Sequence, residues 1–158
     1  MPPSAIERFP AAASEHGIES HVQTFPQDTR TAEHAATALG CEPGQIVKSL
    51  IFKADDELVL ISASGSNRVD ETKAAPLFGV EKLGKASADE ARNATGFAIG
   101  GVPPCGHPSA LRAAVDRDLL GWPSIWAAAG APDAVFELTP ETLVRITDAR
   151  PADIALAT

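Results

Sequence analysis

The sequence predicts an α+β fold: one domain over residues 1–158, built on a mixed, largely antiparallel sheet flanked by helices. Three observations lead there. Two apolar runs, 45–53 and 57–63, are separated only by Ala54-Asp55-Asp56, which makes them a hairpin buried on much of both faces. Capped helical stretches fall irregularly among strands, without a regular alternation of strand and helix. No internal repeat, low-complexity linker or second apolar core divides the 158 residues, a length sufficient for one core.

Along the chain, residues 5–16 are good helix formers, with Ile6 and Phe9 on one face and Gly17 as the stop. Residues 19–25 read as a short strand, and Thr31 caps a second helix over 32–39 that Gly40 closes. After the hairpin and the Ser64-Gly65-Ser66-Asn67 turn, residues 70–78 read as helical, and Ser87 caps a helix over 88–94 that ends at Gly96. Residues 113–120, 124–129 and 134–138 are strands separated by Gly-Trp-Pro and Gly-Ala-Pro-Asp breaks. Thr139-Pro-Glu-Thr opens the last helix with a capping-box pattern.

With 44% hydrophobic and 22% charged residues, the composition is that of an ordinary soluble protein. The N-terminus carries no basic segment followed by an apolar run, and no stretch reaches bilayer-spanning length, so no membrane association is expected. Cys41 and Cys105 form no CxxC, and His16, His21 and His34 have no metal-ligand spacing; a reducing cytoplasm, no metal and no cofactor are the expectations. The net charge of −8 argues against broad attraction to nucleic acid, and no helix-turn-helix signature or basic patch supports specific DNA binding. The charge is uneven: residues 1–43 carry −4, residues 44–92 only −1, and residues 93–158 −3.

Two features carry chemistry. Lys48 shares a strand face with Ile46, Leu50 and Phe52, where an ammonium needs a water-filled cleft or an anionic partner. The other reading is a lysine that snorkels to solvent along its apolar stem. The loop Gly-Phe-Ala-Ile-Gly-Gly-Val-Pro-Pro-Cys-Gly-His-Pro at 96–108 lets the bare N–H groups of Gly100 and Gly101 approach a ligand, while Pro103 and Pro104 stiffen the turn. A tight helix-to-strand connection has a similar composition.

These motifs, in the order Gln-Ile-Val-Lys-Ser-Leu, Ser-Gly-Ser-Asn-Arg-Val-Asp and Gly-Phe-Ala-Ile-Gly-Gly-Val-Pro-Pro-Cys-Gly-His, resemble the YbaK/prolyl-tRNA synthetase-associated domain family from about Thr31 through the final helix. The resemblance implies that family's fold and a trans-editing aminoacyl-tRNA deacylase, which hydrolyses the ester of a small, wrongly attached amino acid. It implies that Lys48 is the lysine on which activity depends and that Gly100 to Pro104 form the family's Gly-x-x-x-Pro loop. Lys48 would bind the terminal phosphate or ribose of the acceptor end, and the Gly100 and Gly101 N–H groups would stabilise charge developing on the carbonyl oxygen. Water is the nucleophile, helped by a hydroxyl of the terminal ribose; Ser64-Gly65-Ser66 lacks the context of a nucleophile elbow.

The candidate substrate-binding set is Ser49, Arg68, Phe97, Val102, Pro103, Pro104 and His107, the last either lining the entrance or satisfying loop backbone. Cys105 reads as a small buried hydrophobe rather than a nucleophile, and Trp122 and Trp126 as core or sheet surface rather than base-stacking platforms. Some family members carry an acidic residue where Val135 stands here, a departure that bears on specificity more than on reaction type. The partners implied are the aminoacyl-tRNA acceptor end and, as a further candidate, an aminoacyl-tRNA synthetase. A competing reading from another class is a non-catalytic module that keeps the pocket and binds an aminoacyl group or a synthetase without turnover.

Overall fold

The computed structural model of the chain describes residues 9, 13–14, 22–24, 31–97, 102–105, 107, 111–131 and 134–156. Its strands are β1 (Gln23–Thr24), β2 (Val47–Ala54), β3 (Glu57–Ser64), β4 (Leu83–Lys85), β5 (Ala113–Asp116), β6 (Ile125–Ala128), β7 (Ala134–Leu138) and β8 (Arg150–Ala152). Its helices are α1 (Ala32–Leu39), α2 (Glu71–Ala74), α3 (Ala88–Thr95) and α4 (Pro140–Thr147).

The β2–β3 hairpin forms in full register from Val47↔Ser64 to Ala54↔Glu57, turning through Asp55 in the left-handed region at φ 56°. It seeds a five-stranded sheet of order β4-β2-β3-β5-β8, antiparallel at β4–β2–β3 and parallel at β3–β5–β8. Strands β1, β7 and β6 make a second, antiparallel sheet. The sheet read as one from the sequence is therefore two. On the edge of β2 away from β3, β4 pairs only with Phe52–Ala54, and β6 arrives only as a parallel bridge from Trp126 to Ile46.

The main core lies between the sheets, where Val47, Val115 and Leu119 pack with Ile125, Ala127 and Phe136 and with Leu143 of α4. Of the first predicted helix only Phe9, Ala13 and Ser14 are described; all three are helical, and the Phe9 ring stands 4.6 Å from that of Phe136. The opposite face of the larger sheet, with Val59, Ile61 and Ala114, is covered by Ala74, Ala75 and Phe78. A third cluster seats α1 on Ile46 and Trp126.

Local chemistry moves several boundaries. The strand predicted over 113–120 stops at Asp116, because the Asp118 N–H donates to Asp116 Oδ1 at 3.0 Å and turns the chain into the 3-10 helix Arg117–Gly121. Helix α2 gives way to the 3-10 turn Ala75–Phe78 at Pro76, which has no N–H to continue the helical ladder. Ser87 and Glu90 complete a reciprocal capping box. At Thr139 the predicted box is half formed: its hydroxyl accepts from the Thr142 N–H at 3.2 Å, while the Thr142 hydroxyl meets the Thr139 hydroxyl at 2.9 Å.

Candidate active site

Lys48 lies near the start of β2, opposite Ala63 in β3, on the face of the sheet that also carries Phe52 and Ile61. Its Nζ donates to the backbone carbonyl of Asn67, and among the described residues it makes no ion pair. Burial holds the ammonium below the usual lysine range; Glu33 pulls it back up, the neighbouring Arg68 lowers it further, and Asp116 opposes that.

The turn that presents this carbonyl is held at nearly every atom. Asp116, 1% exposed, accepts the Ser64 N–H at 3.1 Å and the Asn67 side-chain amide at 2.9 Å on one oxygen. The same amide donates to Asp118 at 2.7 Å, so both of its hydrogens are used. Ser64 Oγ donates to the Gly44 carbonyl at 2.8 Å, and the Gly65 N–H donates to the Ile46 carbonyl at 2.7 Å. Gly65 has no room for a side chain: a Cβ would stand 2.4 Å from the Pro43 carbonyl oxygen and 2.7 Å from Ala32 Cβ.

Strand alternation sends Ser49 to the opposite face from Lys48. Ser49 faces Ser62 across the hairpin, and both hydroxyls are buried without a hydrogen-bond partner. Val47 and Val115 share that face and pack with Cys105, so the proline-rich segment lies on the Ser49 side. Phe97, Val102, Pro103, Pro104 and Cys105 are all buried. Phe97 is set by Thr95, whose hydroxyl accepts the Phe97 N–H at 3.1 Å and donates to the Ala91 carbonyl at 2.7 Å.

His107 Nε2 donates to the Pro103 carbonyl at 2.8 Å, which fulfils its backbone-satisfying reading. Burial lowers its pKa, and that hydrogen bond partly offsets the shift. Pro104, Cys105 and His107 also line a cavity of about 820 Å³ at the start of β5 and the end of α4, together with Leu60, Arg112 and Arg150. Lys48 is not in its wall. Arg112 is held there by Glu57 at 2.8 Å and lies 5.5 Å over the Phe78 ring.

Among the predicted residues, Lys48 and Arg68 come together at the open end of the hairpin. Ser49, Val102, Pro103 and Pro104 belong to the other face or to the segment packed on it, while Gly100 and Gly101 lie outside the described residues. Trp122 packs its ring against Gly44 and Trp126 against α1. Sequence reasoning missed Asp116 and Asp118, whose Asp-Arg-Asp step alone does not mark them as site residues, and read Asn67 only as part of the Ser64–Asn67 turn and its motif. No three His, Cys, Asp or Glu side chains among the described residues converge as a metal site requires. No described helix is long and apolar enough to cross a membrane.

Comparison with known proteins places this geometry in a family. A solved structure of a protein proposed as a trans-editing enzyme for prolyl tRNA synthetase superposes with a TM-score of 0.93 at 44% identity, covering 99% of this chain and 100% of that one. The uncharacterized protein YwhH of Bacillus subtilis (strain 168) is 33% identical over 126 residues, 79% of this chain and 80% of that protein. The proline–tRNA ligase of Leuconostoc mesenteroides is 31% identical over 111 residues, which are 70% of this chain but only 19% of the ligase. The profile of the aminoacyl-tRNA editing domain matches residues 26–146. With that profile spanning the hairpin, the Asn67 turn and the proline-rich segment, the chain belongs to the aminoacyl-tRNA editing domain family.

Proposed function

We propose that the protein acts in trans as an aminoacyl-tRNA deacylase that removes a small mischarged amino acid from the acceptor end, with Lys48 as its principal charged group. The observation that carries this reading is the state of Lys48: a half-buried ammonium, aimed by a single carbonyl and with no carboxylate partner among the described residues. Such a group is preset to receive an anion, and the terminal phosphate of the acceptor end is one. Arg68, exposed beside it, adds a second positive charge.

Hydrolysis then needs little further chemistry. The oxygen of a water molecule attacks the ester carbonyl carbon, the bond to the ribose oxygen breaks, one of the water's protons ends on that oxygen and the other passes to solvent, and the amino acid leaves as its carboxylate. Positioning and charge stabilisation supply the acceleration. The Gly100 and Gly101 N–H groups are assigned to the carbonyl oxygen from the sequence motif. The sequence motif also assigns Phe97, Val102, Pro103 and Ser49 to the amino-acid pocket, whereas here Phe97, Val102 and Pro103 are buried and Ser49 lies on the sheet face opposite Lys48. Such a pocket separates substrates differing by one methylene by only about 1–3 kcal/mol, so Ala, Ser, Thr and Cys are all candidate substrates. The relation to proline–tRNA ligases makes the prolyl system the first place to look for the tRNA and for a synthetase partner. The cytoplasm, where charged tRNA is used, is the compartment that fits.

The test is release of amino acid from tRNAs charged with Ala, Ser, Thr, Cys or Pro, comparing the native protein with Lys48→Ala at matched folded concentration. The expected result is rapid release of at least one amino acid, reduced about a hundredfold or more in the variant. Saturable binding of an aminoacyl-adenosine mimic without release would replace the enzyme by a binding module.

A further inference from the structure

We propose that Asn67 is the positioning residue for Lys48: its backbone carbonyl aims the ammonium, while its side-chain amide occupies Asp116 and Asp118 and so keeps both carboxylates from capturing the lysine. The inference rests on the reading of Lys48 as the substrate-handling cation.

An ammonium that shares one bonding residue with two carboxylates, as Lys48 shares Asn67 with Asp116 and Asp118, tends to end in an ion pair, since opposite unit charges at contact attract more strongly than an ammonium and a neutral carbonyl. Here it does not. The Asn67 amide spends one hydrogen on Asp116 at 2.9 Å and the other on Asp118 at 2.7 Å, and Asp116 is further engaged by the Ser64 N–H at 3.1 Å. The amide is a neutral spacer with one donor for each acid. Among the described residues Lys48 makes one hydrogen bond, to the Asn67 carbonyl, and an ammonium has three N–H donors, so two remain for an anionic acceptor there. Glu33 from α1 and Arg68 from the turn are the other charged groups whose fields act on it. The same residue thus aims the cation and shields it, and the Gly65–Ile46 bond at 2.7 Å fixes the turn on β2 so that the aim is kept.

The experiment uses Asn67→Ala, with Lys48 followed by side-chain NMR of lysine-labelled protein, its resonance assigned through Lys48→Arg, and with deacylation of the charged-tRNA panel measured alongside. In Asn67→Ala the acids are released, Lys48 turns to Asp116, its side-chain resonance shifts, and turnover falls about tenfold to a hundredfold. Neutralising both acids in that background, Asp116→Asn with Asp118→Asn, restores part of the activity because nothing is left to capture the ammonium. A merely structural role gives the opposite sign, since removing more of the network then lowers activity further, and that result would overturn the proposal. Asp118→Asn alone, at an exposed position, serves if Asn67→Ala does not fold; it weakens one of the two amide contacts and is expected to shift the Lys48 resonance in the same direction by less. An unmoved Lys48 resonance in the folded variants overturns the inference whatever the activity. A moved resonance in a protein whose native form releases no amino acid upholds the positioning and removes the deacylase reading instead.

Discussion

Two segments that carry residues of the candidate site are fixed by different forces. Residues 64–67 are held by polar bonds: three backbone N–H groups, a serine hydroxyl and an asparagine amide all have partners, and two of these donors share the buried carboxylate of Asp116. Residues 102–105 are held largely by burial, with Val102 at 1% and Cys105 at 4% exposure, and the His107 ring donates to the Pro103 carbonyl. The difference follows from what each must present. A point charge such as Lys48 needs a fixed direction, which hydrogen bonds give. A wall for an amino-acid side chain needs only shape, and close packing gives that.

The comparison breaks most sharply at Gly65. In Gly65→Ala the new methyl meets the Pro43 backbone at 2.4 Å, where no flexible side chain can yield, so either the Pro43–Gln45 turn or the Ser64–Asn67 turn must move. A loss of about 1–3 kcal/mol in denaturant-induced unfolding is expected, with deacylation falling as the Asn67 carbonyl shifts. An unchanged unfolding midpoint would mean that the turn is looser than its bonds imply.

His107 tests the apolar segment through pH. Its folded pKa lies below the ordinary value of 6.5, so as the pH falls the unfolded chain takes up that proton first. This contribution to stability is intact above about pH 6.5 and is lost progressively as the pH falls from there toward the folded-state pKa. Unfolding midpoints measured between pH 7.5 and 5.5 should therefore decline, and His107→Gln, which removes the titration but keeps an N–H donor for Pro103, should decline less.

The smallest effect is expected at Ser62, fully buried beneath the apolar segment's side of the sheet with no partner for its hydroxyl. Ser62→Ala removes an unsatisfied group and should leave stability unchanged or raise it by about 1 kcal/mol. A clear loss in thermal unfolding would show that polar bonding reaches under this segment too, and the contrast between the two segments would fade.

Much of this was legible beforehand, for reasons visible at particular residues. The hairpin follows from two apolar runs joined by Ala54-Asp55-Asp56, and the caps at Thr31, Ser87 and Thr139 follow from local side-chain chemistry. Lys48 stood out because a charge in an apolar strand is costly. The end of β5 at Asp116 was not legible, since an Asp-Arg-Asp step looks the same whether its acids face water or a partner 49 residues away in sequence. The division of the strands into two sheets was equally hidden, because it turns on which strand reaches the free edge of β2, and that is decided by non-local contacts.

The sequence by itself determined the hairpin and the capped helices, but not the short edge strands β4 and β8, together with the motif order that marks the editing family and the lysine on which the chemistry is proposed to turn. Each is local, written in periodicity, caps and residue type. The tertiary structure alone decided that the proline-rich segment packs on the Ser49 side of the hairpin and that Asn67 links an ammonium to two carboxylates. Hydrogen bonds and packing join residues by distance in space, and only the folded chain sets those distances.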